Sequence, residues 1–214
     1  SPFAMMTGLL SVAMVVMHGA GFLSVKIERG AVLDRARRIG SVAAVASLVL
    51  FAAGGLWVAN GVMGFRLEGV VDPNGPSNPL FVKTVAAPGA WMDNYGRHPW
   101  MLIAPILGLA GPVIALLGIR RHSHVLNLAG SSLATVGIIA TVGLSMFPFI
   151  LPSSIDPQSS LTAWNASSSH LTLWIMLIVT LIFLPLVLAY TAWVMKVLFG
   201  RISLRDVRTN PDFY

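Results

Sequence analysis

Five apolar runs dominate this chain, and each is long enough to cross a lipid bilayer as a helix. They extend from about Pro2 to Val25, Ile39 to Gly64, His98 to Ile119, Val125 to Phe147 and Leu171 to Phe199. A helix rises about 1.5 Å per residue, so about 20 residues cover a hydrocarbon core of about 30 Å. Only 10% of the 214 residues are charged, against about 25% in soluble domains. The expected fold is therefore all-α: one transmembrane domain over residues 1–214, a polytopic helical bundle of about five spans. The net charge of +6 does not indicate nucleic acid, because the basic residues sit at the ends of the apolar runs, where a bilayer puts them. With no cysteine there is no disulfide framework, thiolate metal site or thiol nucleophile.

Charge sets the expected orientation. Lys26, Arg29, Arg35, Arg37 and Arg38 follow the first span, Arg120 and Arg121 follow the third, and Lys196, Arg201, Arg205 and Arg208 follow the fifth. In a five-span alternation these segments share one side, which the distribution of basic residues makes cytoplasmic. The segment from Phe65 to Arg97 balances Arg66, Lys83 and Arg97 against Glu68, Asp72 and Asp93, as an outer loop would. It reads as a long polar connection without evident secondary structure. Its stretch DPNGPSNP, Asp72 to Pro79, is dense in turn formers, and Trp91 and Tyr95 are expected at headgroup level. The opening Ser1-Pro2-Phe3 has no basic region or small-residue cleavage site before its apolar run, so it is not a signal peptide. It is expected to derive from inside a larger polytopic protein.

Within the spans, small residues mark faces for close helix contact: Ala43, Ser47 and Gly54; Gly108 and Gly111; and Gly130, Ala134, Gly137 and Thr141. Pro105 and Pro112 fall in the third span, where kinks are expected, and Pro185 in the fifth. His18 is the one strongly polar residue of the first span. A histidine at that depth serves as ligand, proton relay or polar anchor, and the anchor, bonded to a neighbouring helix, is the commoner role. Ser131, Thr135 and Ser145 are expected to bond mainly to carbonyls of their own helix. Pro148 and Pro152 stop the fourth span, a polar stretch follows, and Ser167 to Ser169 offer an N-cap to the fifth. Gly200 is the expected C-cap of that last helix.

No acidic residue lies in mid-span, no histidine pair has metal-ligand spacing, and no phosphate loop or nucleophile motif is present. The residues alone describe a helical scaffold, with half of a secondary transporter or a non-catalytic assembly or anchoring protein as alternatives.

The polar spacing of the connections adds more. FPFILPSS (Phe147 to Ser154), SLTAWNASSSHLTL (Ser160 to Leu173) and LAYTAWVMKVLFGRI (Leu188 to Ile202) resemble the C-terminal part of subunit II of the cytochrome bd-type quinol oxidases. SVAM at Ser11 to Met14, SNPL at Ser77 to Leu80 and GAW at Gly89 to Trp91 match in the same order. Members of that family are longer, with about three further spans before this region. The resemblance implies a subunit of a quinol:oxygen oxidoreductase of the bacterial cytoplasmic (inner) membrane. That complex oxidises quinol, reduces dioxygen to water and generates a proton potential without pumping. It implies haem b and haem d ligated mainly by subunit I, with which this chain would form a heterodimer. It also implies small single-span accessory subunits, surrounding lipid and, in some members, a structural quinone. No catalytic, cofactor-binding or metal residue carries over to this chain, and His18 and His170 fall where members can have other polar side chains. Phe147 to Thr172 is read as an architectural clamp between the last two helices.

Overall fold

Ser1 starts the first helix by accepting the backbone N–H of Ala4 through its hydroxyl, and Pro2 follows at the first helical position, where a missing N–H costs nothing. In the computed structural model, which describes residues 1–69 and 83–197, this helix is α1 (Pro2–Lys26). The others are α2 (Ala31–Asn60), the short α3 (Asp93–Arg97), α4 (Ile103–Arg120), α5 (His124–Met146) and α6 (His170–Val197). All but α3 are long and apolar enough to cross a membrane. The expected Gly200 cap, the tail from Arg201 and the whole DPNGPSNP turn region lie outside the described residues.

Two boundaries differ from the sequence expectation for physical reasons. The basic stretch Ala31 to Arg38 is the first two turns of α2, which leaves only residues 27–30 as the connection. Its alanines, leucine and arginines are good helix formers, and Asp34 lies in the first turn, where the helix dipole favours an anion. Leu33 and Ala36 are buried on one face, while Arg35 and Arg38 are exposed. At its other end α2 stops at Asn60, short of Gly64. The Gly61 N–H returns to the Trp57 carbonyl, and Asn60 Nδ2 caps Leu56 O at 2.9 Å. The third span begins as a 3-10 turn, Pro99–Leu102, before α4. Pro105 falls in the first turn of α4, where its N–H would be unbonded anyway, so no break is required there. Pro112 is inside the helix and fully buried.

The chain divides into two compact units. The first contains Ser1–Val62 and Met92–Ser145, and so α1, α2, α3, α4 and α5. Its four long helices pair antiparallel around a closed circuit. Phe3 meets Trp57 edge-on at 5.8 Å, and Gly40 faces Ala20, joining α1 to α2. Phe51 covers Gly108, joining α2 to α4. Gly108, Gly111, Ala115 and Gly118 of α4 lie against Gly137, Ala134, Gly130 and Asn127 of α5, and Gly21 of α1 lies against Ser131 and Leu128 of α5. Met17, Ala43, Ala44, Ala115 and Ala134, from all four helices, form the centre. The core is built of small residues because bilayer lipid gives no hydrophobic drive for helix association. Backbone approach and dispersion contacts supply the attraction instead.

The second unit contains Met63–Trp91 and the chain from Met146. It corrects the expectation of an irregular outer loop. Strand β1 (Met63–Glu68) pairs antiparallel with β2 (Lys83–Pro88), so that Phe65 faces Ala86 in register and Glu68 faces Lys83. A second short pair joins β3 (Phe149–Leu151) to β4 (Leu161–Thr162). Phe65, Trp91 and Phe149 pack with ring centroids 5.8 to 6.2 Å apart. Trp91 is buried in this cluster and donates its indole N–H to Met63 O at 3.2 Å.

The polar crossing after Pro152 bonds largely to itself. Asp156 caps a 3-10 turn by accepting from Gln158 N and from the Ser159 hydroxyl. The Gln158 side chain then imitates a strand against β2, donating to Thr84 O at 3.0 Å and accepting from Thr84 N at 3.4 Å. Buried Asn165 accepts from the N–H and hydroxyl of Thr162 and donates to Ser160 O. Ser169 caps α6 through the N–H of Thr172, and among the described residues no side chain of α6 is buried.

The α4–α5 contact gives a direct stability prediction. A side chain at Gly130 would drive into the backbone of Ala115, whereas one at Gly143 of the same helix meets nothing within 4 Å. Gly130→Leu should destabilise the chain by about 1–3 kcal/mol or more, read as a lowered thermal midpoint in mild detergent. Gly143→Leu should leave that midpoint unchanged.

Candidate functional site

His18, Gly21 and Ser24 are spaced by three along α1 and so share a helix face. That face meets Asn127 and Ser131 of α5, forming a polar seam inside the first unit. His18 Nδ1 lies 3.2 Å from Ser131 Oγ, and the Ser131 hydroxyl donates its own proton to Leu128 O at 2.9 Å. Because that hydroxyl has a single proton, the arrangement has His18 donating through Nδ1. Further along, Ser24 Oγ donates to Gly21 O at 2.7 Å and accepts from Asn127 Nδ2 at a long 3.4 Å. Asn127 is 2% exposed, yet its Oδ1 has no partner. Exchanging the amide's O and N would not help, since the Ser24 proton is already committed to Gly21. Ser47 Oγ of α2 is likewise buried without a partner. Orphans of this kind cost about 1–3 kcal/mol each.

The seam can anchor helices through its hydrogen bonds between α1 and α5. It holds one imidazole, two hydroxyls and an amide, with no carboxylate to pair with the imidazole. Thr135 and Thr141 return their hydroxyls to carbonyls of α5, as the sequence suggests. Ser145 does not: its hydroxyl meets Tyr95 OH at 2.7 Å. Tyr95 OH also donates to Thr141 O at 3.3 Å, and Asn94 Nδ2 donates to Leu144 O at 2.8 Å. Asn94 of α3 thus satisfies the Leu144 carbonyl, whose helical donor would be Pro148, and Tyr95 adds a second donor to the Thr141 carbonyl. Tyr95 is half-buried in this role.

The remaining histidines stay apart. His98 is exposed between α3 and the 3-10 turn, His122 lies in the α4–α5 connection, His124 begins α5, and His170 is exposed at the start of α6. Among the described residues no three of His, Asp and Glu converge as metal ligands. Sequence reasoning found His18 but missed Ser24 and Asn127. The small-polar spacing His18–Gly21–Ser24 was the available signal, and its partner 113 residues away was not.

The fold and the seam define a multi-pass helical membrane protein, built for close packing and poor in titratable groups. The chain belongs to the cytochrome bd terminal oxidase subunit II family, whose pattern it matches over residues 1–198. It is 38% identical over 210 residues to the cytochrome bd-I ubiquinol oxidase subunit 2 of Escherichia coli K12, an alignment covering 98% of this chain and 55% of that protein. It is 33% identical, with the same coverage, to the probable cytochrome oxidase subunit 2 of Haemophilus influenzae. The chain therefore spans about half the length of the curated relatives it matches.

The seam predicts a graded response. Gly21 lies so close to Ser131 Oγ that nothing larger than serine fits opposite it. Ser131→Ala should lower stability by about 1 kcal/mol through the lost hydrogen bonds. Ser131→Leu should lower it by several times more through overpacking. Thermal unfolding of the two variants in the same detergent would check this order.

Proposed function

We propose that the protein acts as the partner subunit of a cytochrome bd-type oxidase, in which quinol is oxidised and dioxygen reduced to water while haem ligation falls to another subunit. Membership of the subunit II family is the observation that carries this reading. The geometry agrees with a supporting role. A haem needs an axial ligand and an open apolar slot for the macrocycle. Among the described residues, the one histidine away from the ends of a span, His18, is held by Nδ1 against Ser131, and the next turn of its helix presses Gly21 directly onto α5. The residues described here do not fit a haem, so haem b and haem d are assigned to the partner, subunit I of a heterodimer.

What the chain supplies is shape. A bundle closed through glycine and alanine faces is rigid because it has few side-chain rotamers to rearrange. Helix α6 offers the opposite surface: 28 residues, apolar on all sides, none buried within this chain. Such a helix lies against lipid or another subunit. The short basic connections after α1 and α4 line one common cavity, which supports placing both at the cytoplasmic end of the spans in a bacterial cytoplasmic membrane.

Purification of the tagged full-length subunit from native membranes in mild detergent tests this reading. The expected outcome is co-purification with a larger haem-bearing subunit, haem b and haem d bands in the reduced-minus-oxidised spectrum, and quinol-driven oxygen uptake. A colourless monomer, or an oxidase with full haem content from cells lacking this chain, would contradict it.

A further inference from the structure

We propose that the cavity between the α1–α2 and α4–α5 connections holds the phosphate group of a membrane phospholipid. The cavity measures about 260 Å³ and is lined by Arg29, Gly30, Asp34, Arg37 and His122. It lies just below the range of drug-sized pockets, about 300–1,000 Å³, and suits a headgroup rather than an extended ligand.

Five basic residues crowd Lys26 to Arg38, and the orientation of the spans explains their number but not their arrangement. Arg29 and Arg37 line the cavity, while Arg35 and Arg38 do not. The two lining arginines are eight residues apart and converge because the chain turns over residues 27–30 before α2 begins. Two guanidinium forks facing one space match the oxygens of a phosphate, which accepts paired N–H bonds from each. His122 reaches the same space from a different connection. Its backbone is left-handed, with φ 53°, a conformation that costs a residue bearing a Cβ some strain and that accumulates at ligand clamps. Helix α2 opens at Gly30 with no side-chain cap, so its first backbone N–H groups add a further attraction for an anion.

Asp34 is the one carboxylate on the lining. It offsets one guanidinium and leaves the site positive. It also gives an ammonium group a partner, so an ethanolamine phosphate satisfies both signs of charge. Membrane position selects the source of the phosphate, because the cavity sits where four spanning helices end and lipid headgroups begin. None of this depends on the oxidase reading, so lipid binding and oxidase activity can fail separately.

The test uses the full-length subunit in its native complex. Native mass spectrometry counts the phospholipids retained after mild detergent extraction. The delipidated complex is then titrated with short-chain phosphatidylethanolamine, short-chain phosphatidylglycerol and inorganic phosphate. Arg29→Gln/Arg37→Gln should lose one retained lipid and bind both short-chain lipids about tenfold more weakly or worse, as the loss of charge-assisted bonds implies. Arg35→Gln/Arg38→Gln removes the same charge from the same stretch and should retain the lipid. Should the first pair fail to accumulate, Arg29→Lys/Arg37→Lys keeps the charge, removes the forks and should weaken binding on its own. Equal lipid retention by the cavity variants and the Arg35/Arg38 variant would overturn the proposal. So would binding of inorganic phosphate with no retained lipid.

Discussion

The backbone-to-backbone approach of α4 and α5 is the contact on which the rest of the first unit depends. Gly108, Gly111, Ala115 and Gly118 repeat at intervals of three and four, and Gly137, Ala134, Gly130 and Asn127 answer them in reverse order. Glycine or alanine at seven of these eight positions permits that distance, so dispersion is gained along the contact with Asn127 as its one longer side chain. Because α4 and α5 are held so close, α1 and α2 can close the circuit on their other sides. The small central core of Met17, Ala43, Ala44, Ala115 and Ala134 follows from that closure.

The polar seam is a consequence of the same economy of size. Where Gly21 brings α1 onto α5, the hydroxyl of Ser131 comes within reach of His18, and the imidazole finds a partner without water. The packing is imperfect there, since Asn127 and Ser47 each bury an unpaired oxygen. In the second unit, side chains do work that backbone ladders do elsewhere. Gln158 completes the edge of β2, and Asn165 closes the turn after β4. Both devices satisfy backbone groups of the buried residues Thr84 and Thr162, where an unpaired donor or acceptor is costly.

The spanning helices were legible because length and apolarity suffice to define them. The glycine faces of α4 and α5 were legible from spacing, but their pairing was not, since either could have met any other span. The hairpin of β1 and β2 escaped notice. Its alternation lasts only six residues on each side of a polar, turn-rich insertion, and six residues are too few to stand out against the long runs. For Trp91 and Tyr95 the sequence offered a membrane depth but not the partners that they meet. The Trp91 indole N–H meets the Met63 carbonyl, and the Tyr95 hydroxyl meets Thr141 O and Ser145 Oγ near the end of α5. The most specific part of the family signal came from the connections, because polar spacing such as that of Ser160 to Leu173 is far harder to match by chance than another apolar run.

The central claim is that this chain contributes architecture to an oxidase and leaves the chemistry to its partner. Its most direct test is the turnover per haem, by quinol-driven oxygen uptake, of complexes carrying His18→Ala in the full-length subunit. Turnover per haem should stay within about twofold of the unsubstituted complex, even where less complex assembles, because a packing anchor limits quantity and not rate. A fall of about a hundredfold in complexes with normal haem content would contradict the account, since a loss of that size marks a group taking part in proton transfer.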